Sequence, residues 1–270
     1  MRVAIVASKV NSITSELMEN LAQRGAEVRL ICPEKQVTDL ADVRVEDDLY
    51  VLKSVGHLGL GIAGALHAAG ARTLNPYPKV ALVKHKVVVN HVLHSAGVPV
   101  PATFTTTDPT ALLPLLKESA LIAKPFDGAR SEGIQILRTR DDLKNVHFGE
   151  FLMVQRYYEP DEPGRFIKAY YLDGQIFLRK RWWSDGQRRN KESEPVEASS
   201  ALARIVEICA RALGLKLFGL DIVIRQGKPF VVDVQEFGSF AGVAQAPILL
   251  ADFIFSHLNS ALKDRSANAR

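Results

Sequence analysis

Two runs near the C-terminus constrain this chain more than any other feature: LFGLDIVIR, from Leu217 to Arg225, and PFVVDV, from Pro229 to Val234. Both are rich in β-branched and aromatic residues, and the Gln226-Gly227 pair between them predicts a β-hairpin. The first run carries Asp221; the second carries Asp233 and leads to Gln235. Residues two apart share a face of a strand, so Asp233 and Gln235 point the same way, and pairing lets Asp221 approach them. Carboxylates set among Ile, Val and Phe are costly to bury unless paired or metal-bound. Hard oxygen donors converging from rigid strands suit magnesium held with nucleotide phosphates. Spacing alone leaves open the other arrangement, a pair of solvent-facing acids at strand ends.

The rest of the chain is mixed α/β. Arg2–Ala7 reads as a buried strand, and Ile13–Arg24 has helical apolar spacing that stops at Gly25. Val28–Ile31 and Tyr50–Val55 read as strands, followed by a small-residue helix near Gly64–Ala69 and a strand at Arg72–Leu74. This alternation predicts a small parallel sheet flanked by helices. Asn75-Pro76-Tyr77-Pro78 then opens one helix running to about Ser95, and Asp108-Pro109 starts another with a capping side chain and proline. Leu121–Lys124, Ile134–Leu137 and Phe151–Gln155 read as strands. Phe166–Leu172 and Gln175–Trp183 form a hairpin about Asp173-Gly174. Ala201–Leu213 is a helix closed by Gly214, and a last helix spans roughly Ala246 to Leu262. The expected organisation is an N-terminal α/β domain, residues 1–77, and an α+β domain, residues 78–270.

Composition narrows the function classes. The 270 residues are 47% hydrophobic and 24% charged, as in a soluble globular protein, with no apolar run long enough to span a bilayer. The first residues, MRVAIVASKV, read as a strand and loop, not a secretory signal. Cys32 and Cys209 are too few for a disulfide framework or a cysteine metal site, so a cytoplasmic setting with no membrane partner is expected. The net charge is +4, with much of the basicity between Arg165 and Lys191. Such a cluster suits phosphates or carboxylates, and it lacks a recognised nucleic-acid-binding motif. The sequence leaves the oligomeric state open; a dimer is the fair default for a soluble homo-oligomer.

Two further motifs invite nucleotide chemistry. Lys124 ends a strand and precedes the small-residue loop PFDGARSEG, which can bring backbone N–H groups and an ammonium onto phosphates. It is not a Walker A loop. Gly59-Leu60-Gly61-Ile62-Ala63-Gly64 fits the GxGxxG dinucleotide fingerprint, but no acid follows about 20 residues later. His85, His91 and His94 have no metal-ligand spacing and read as surface or half-buried residues.

Taken in order, these segments resemble the ATP-grasp superfamily over nearly the whole chain. The resemblance is carried by the helix with Lys86, the KPFDGARSEGI loop, the MVQRYYE segment, KAYYLDGQIFLRKR, and GLDIVI followed by FVVDVQEFGSFAGV. The chain is similar to ribosomal-protein glutamate ligases and glutathione-synthase-like carboxylate–amine ligases, and also to the inositol polyphosphate kinase branch. The resemblance implies an ATP-grasp fold with two α+β subdomains gripping the nucleotide: a lid subdomain at about 98–155 and a metal-binding subdomain at about 156–270. It implies ATP and Mg2+, with Mn2+ as the alternative ion. Lys86 and Lys124 would contact phosphates beneath a lid containing Gly128, Ser131 and Gly133. Gln155, with the backbone of Arg156 and Tyr157, would meet the adenine, and Glu159 or Glu162 the ribose. Asp221, Asp233 and Gln235 match the metal positions. Arg181, and Arg188 or Arg189 with Asn190, match the region that steadies the transferring phosphate, and Lys168 lies beside it. Two departures stand out: Gln235 replaces the usual asparagine and has Glu236 beside it, and Ser131 replaces a common glycine.

The activity so implied is ADP-forming ligation of a small acid or peptide to an amine through an acyl phosphate. Lys168 and the nearby RKR motivate a second reading, a small-molecule kinase with an inositol-phosphate-like acceptor. The altered Gln235 and Ser131 motivate a third, a nucleotide-binding module without turnover.

Overall fold

Strand β1 (Arg2–Val6) is apolar and buried from its second residue on, as an interior strand of a covered parallel sheet must be. The computed structural model describes residues 1–53, 56–124, 134–146, 151–183 and 193–268, the last nine by backbone alone. In it β1 pairs in parallel with β2 (Glu27–Ile31) and β3 (Leu49–Leu52), and β3 with β4 (Thr73–Leu74), in the order β2-β1-β3-β4. The connections carry α1 (Ser12–Gln23), capped by the Asn11 side chain on the Thr14 amide, and α2 (His57–Ala68). Gly59, Gly61 and Gly64 all lie inside α2, not in a phosphate-cradling turn. A Cβ on Gly64 would come within 2.7 Å of the Tyr77 hydroxyl, so this glycine serves helix packing.

Two helices, α3 (Tyr77–Lys84) and α4 (Lys86–Ser95), stand where the sequence suggests one. The two helices meet in one core across the break at His85: Val83 of α3 packs in the same cluster as Val89 and Leu93 of α4. Val80 of α3 turns instead to Tyr50 and Leu66. Next come β5 (Thr103–Thr106), α5 (Leu113–Glu118), β6 (Leu121–Lys124), β7 (Gln135–Leu137) and β8 (Leu152–Arg156). Their strands make an antiparallel sheet in the order β5-β8-β6-β7, over a core of Leu112, Leu121, Ala123, Leu137 and Val154.

The last third holds β9 (Arg165–Leu172), β10 (Gln175–Trp182), β11 (Glu194–Val196), α6 (Ser200–Leu213), β12 (Leu217–Arg225), β13 (Lys228–Gln235) and α7 (Ala246–Asn268). The strands pair antiparallel in the order β11-β10-β9-β12-β13. Both expected hairpins form. Asp173 and Gly174 have φ of 43° and 99°, and Gln226 and Gly227 have 52° and 70°, the left-handed pairs that tight hairpins require. One face of this sheet packs Ile167, Ala169, Phe218, Leu220 and Ile222 against α4 and α6. The opposite face sends Tyr170, Leu172 and Leu217 into a core shared with α1, the first sheet and α7 through Leu17, Leu21, Leu250 and Ile254. No helix among the described residues is long and apolar enough to cross a membrane.

Candidate active site

The remainder of that second face is polar, and strand register explains how its residues meet. Lys168 on β9 pairs with Asp221 on β12, Asp221 pairs with Asp233 on β13, and Lys168 pairs on its other side with Arg179 of β10. Residues directly opposite share a face, so Arg179, Lys168, Asp221 and Asp233 form one row across four strands. A bulge follows Asp221. Lys168 Nζ donates to Asp221 Oδ1 at 2.6 Å and to Gln235 Oε1. Gln235 Nε2 donates to Asp233 Oδ2 at 2.9 Å and to Asp221 Oδ2 at 3.3 Å. The three residues singled out as metal ligands thus converge. Burial pushes the Asp233 carboxyl up, but Lys86, Lys124, the Gln235 amide and Lys168 outweigh it and hold the group below the usual carboxylate range. Two carboxylates and an amide oxygen are a hard donor set of the kind magnesium takes, and an ammonium already stands among them. Gly219 faces Gln235; a Cβ there would lie 3.3 Å from Gln235 Oε1.

The second sheet contributes Lys124 from the end of β6. Its Nζ crosses to β13, donating to the Val232 carbonyl at 2.7 Å and to Gln155 Oε1 at 2.6 Å. Burial pushes its pKa down to about 8, with Asp233 opposing that shift and Lys86 adding to it. Gln155 Nε2 donates in turn to Asn90 Oδ1 and Thr103 Oγ1, both at 3.0 Å. The Gln155 amide is therefore engaged at both ends and fixes Lys124. The N–H groups of Arg156 and Tyr157 donate to the Ala102 and Ala120 carbonyls, and the Arg156 guanidinium binds Glu118 and Ser119. Burial and a hydrogen bond with Glu159 raise the Tyr157 pKa. Glu162 is exposed and pairs with Lys180 at 2.5 Å. Lys86 opens α4 and is half-buried.

Arg181 stands on the polar face opposite Phe166, with Nη1 3.5 Å from the Tyr170 hydroxyl. Gly128, Ser131, Gly133, Arg188, Arg189 and Asn190 lie outside the described residues. His85, His91 and His94 are exposed.

Solved structures share this arrangement of sheets. The chain matches a RimK-domain ATP-grasp protein of Sphaerobacter thermophilus with a TM-score of 0.79, over 94% of this chain and 99% of that one at 18% identity. It matches the ATP-grasp ligase PsnB, solved with a minimal precursor, Mg and ADP, with a TM-score of 0.69 over 95% and 98% at 18% identity. This chain has the ATP-grasp fold. Among curated proteins it is 23% identical over 260 residues to a probable alpha-L-glutamate ligase of Cellvibrio japonicus, covering 86% of each. No family model matches it.

Within this fold the residue beside Gln235 has a separate task. Strand alternation turns Glu236 away from the polar row, where it pairs with Lys84 at 2.8 Å and is buried. Lys53, also buried, lies 4.9 Å from the Phe237 ring; burial pushes its pKa down to about 8, with Glu236 opposing. Asn75 ties the same corner together, donating to the carbonyls of Leu217 and Glu236 at 2.5 and 2.6 Å. Lys53, Lys84, Asn75, Asn90 and Thr103 were not expected at the site. Lys53 had one faint signal, a lysine closing the otherwise apolar run LYVLK.

Proposed function

We propose that this chain is an ATP- and Mg2+-dependent, ADP-forming carboxylate–amine ligase acting on a small acid or a peptide. The observation that carries the reading is the joined row of Lys168, Asp221, Asp233 and Gln235, met from the facing sheet by Lys124. The name of the Cellvibrio japonicus relative and the Mg and ADP bound to PsnB support it. Mg2+, or Mn2+ in its place, supplies charge neutralisation on the phosphates when bound. Asp221, Asp233 and Gln235 hold it, and Lys86 and Lys124 hold phosphate oxygens. Arg181, with Arg188 or Arg189, balances charge on the group in transfer. The substrate carboxylate attacks the γ-phosphorus and ADP departs, leaving an acyl phosphate. The amine then attacks the acyl carbon and phosphate departs.

No side-chain nucleophile is needed, and the two cysteines do not offer one: both are buried, and burial pushes the Cys209 thiol up to about 12. In this reading residues 1–77 form the domain that faces the acceptor, and the protein works in the cytoplasm. The kinase alternative drew on Lys168 as a holder of substrate phosphates. That residue fits either acceptor, and the likeness to a probable alpha-L-glutamate ligase puts the ligase reading first.

The test is ATP-dependent hydroxamate formation from candidate acids, L-glutamate first, in the presence of hydroxylamine. Hydroxamate with stoichiometric ADP supports the acyl phosphate. A stable phosphorylated product formed without any amine overturns it in favour of a kinase.

A further inference from the structure

The hydrogen bonds around Gln235 dictate which way its amide lies. Lys168 Nζ can only donate, and the ionised carboxylates of Asp221 and Asp233 can only accept. The amide oxygen therefore faces Lys168 and the nitrogen faces the two acids, at 3.3 Å and 2.9 Å. An amide nitrogen offers a hard cation no ligand. A cation bridging Asp221 and Asp233 meets the wrong end of Gln235 until the amide turns over, and turning it breaks the bond to Lys168.

The geometry points to Gln235 as a two-position switch: closed on Lys168 without metal, and turned toward the acids, with Lys168 released, when a divalent cation binds. This inference rests on the metal reading of the row. Side-chain length makes it possible. Gln235 on β13 and Lys168 on β9 stand two strands apart, roughly 9–10 Å between backbones. The glycine at position 219, on the strand between them, leaves the amide room to lie across it. An asparagine would end about 1.5 Å sooner, one carbon–carbon bond, and lose Lys168 before it lost Asp233. The closed position satisfies both acids, the buried Asp221 and the half-buried Asp233, in the absence of metal, and Lys168 competes with the incoming ion for them.

The test is a Mn2+ titration of the nucleotide-free, full-length protein, followed by electron paramagnetic resonance. Gln235→Asn removes the closed position, so Mn2+ should bind on the order of tenfold more tightly, the effect of one charge-assisted hydrogen bond that no longer has to be broken. Lys168→Met should tighten binding too, and the double variant should gain little beyond it, because both changes remove the same contact. In the native protein the Gln235 side-chain amide resonances, identified by their loss in Gln235→Asn, should shift on saturation with Mg2+. Unchanged or weaker Mn2+ affinity in Gln235→Asn, additive effects in the double variant, or unmoved amide resonances would each overturn the switch while the metal site stood. Absence of Mn2+ binding in every form would overturn the switch, and repeating the titration with a saturating non-hydrolysable ATP analogue tells whether the metal reading falls with it.

Discussion

Along β9 the side chains alternate between two surroundings. Ile167, Ala169 and Tyr171 turn toward α6, while Phe166, Lys168 and Tyr170 turn the other way. On β12 the same alternation separates Phe218, Leu220 and Ile222 from Gly219 and Asp221. One face is closed by apolar contact with helices. The other holds two acids, an amide and a lysine in one hydrogen-bonded set. The first face supplies the rigidity that the second needs, because groups two strands apart keep their spacing only if the strands are pinned from behind. A substitution on the polar face should therefore cost turnover with little loss of fold, and one on the apolar face should do the reverse.

Asp233→Asn gives the largest expected effect. Turnover should fall about a hundred- to a thousandfold, as when a group stabilising transition-state charge is removed, with the thermal midpoint moving by less than about 4 °C. Steady-state ADP release and thermal unfolding measure the two sides. Native turnover in this variant would break the assignment of the row.

Phe218→Ala is the counterpart. Phe218 is fully buried and stacks on Tyr171 with centroids 5.0 Å apart. Its truncation should cost about 3–5 kcal/mol of stability, while turnover per folded molecule stays within about twofold. A large loss of turnover at full stability would show that the two faces are not separable. Denaturant unfolding monitored beside ADP release decides it.

Lys124 sharpens the comparison from the facing sheet. Burial holds its amine at about 8, below the 10.5 of a free lysine. Between about pH 8 and pH 10.5 the unfolded chain therefore binds more protons than the folded one. This group's burial costs most below pH 8, and stability gains as pH rises through that window. Nucleotide binding has the opposite sign, since phosphates require the ammonium. Affinity for a non-hydrolysable ATP analogue should fall about tenfold between pH 7 and pH 9, and Lys124→Met should bind weakly with no such fall. Calorimetric titration at the two pH values measures it; a flat native profile would detach Lys124 from the phosphates.

How much of this was legible depends on the distance over which each residue acts. The two hairpins were readable because Asp173-Gly174 and Gln226-Gly227 encode their turns locally, and the second places Asp221 opposite Asp233. The break at His85 leaves no mark in the sequence, because the apolar spacing continues through it and Val83 and Val89 on its two sides enter one core. Lys168 was noticed for its charge, but its bonds to Asp221 and Gln235 cross 53 and 67 residues of sequence. Asn75 reads locally as the start of the segment that opens a helix, yet its partners are 142 and 161 residues away. The resemblance sets Gln155 near the base, and only the fold shows its amide bonded to Lys124, Asn90 and Thr103. Short-range chemistry was visible, and long-range pairing was not.

The smallest expected effect tests where the apolar face ends. Lys180 pairs with Ile167 in register, so it sits at the rim of that face, and its Nζ meets Glu162 at 2.5 Å. The Glu162 side chain is 59% exposed, and an ion pair this open to water contributes at most about 1 kcal/mol. Glu162→Gln should therefore leave stability and the apparent affinity for ATP almost unchanged. Glu159→Gln is the informative partner, because Glu159 and Glu162 are the two candidates for the ribose hydroxyls. A several-fold rise in the KM for ATP in one variant alone, with kcat held, identifies the residue that meets the nucleotide. If that residue is Glu162, the nucleotide reaches round the edge of the sheet, and the division between the two faces does not extend to its rim.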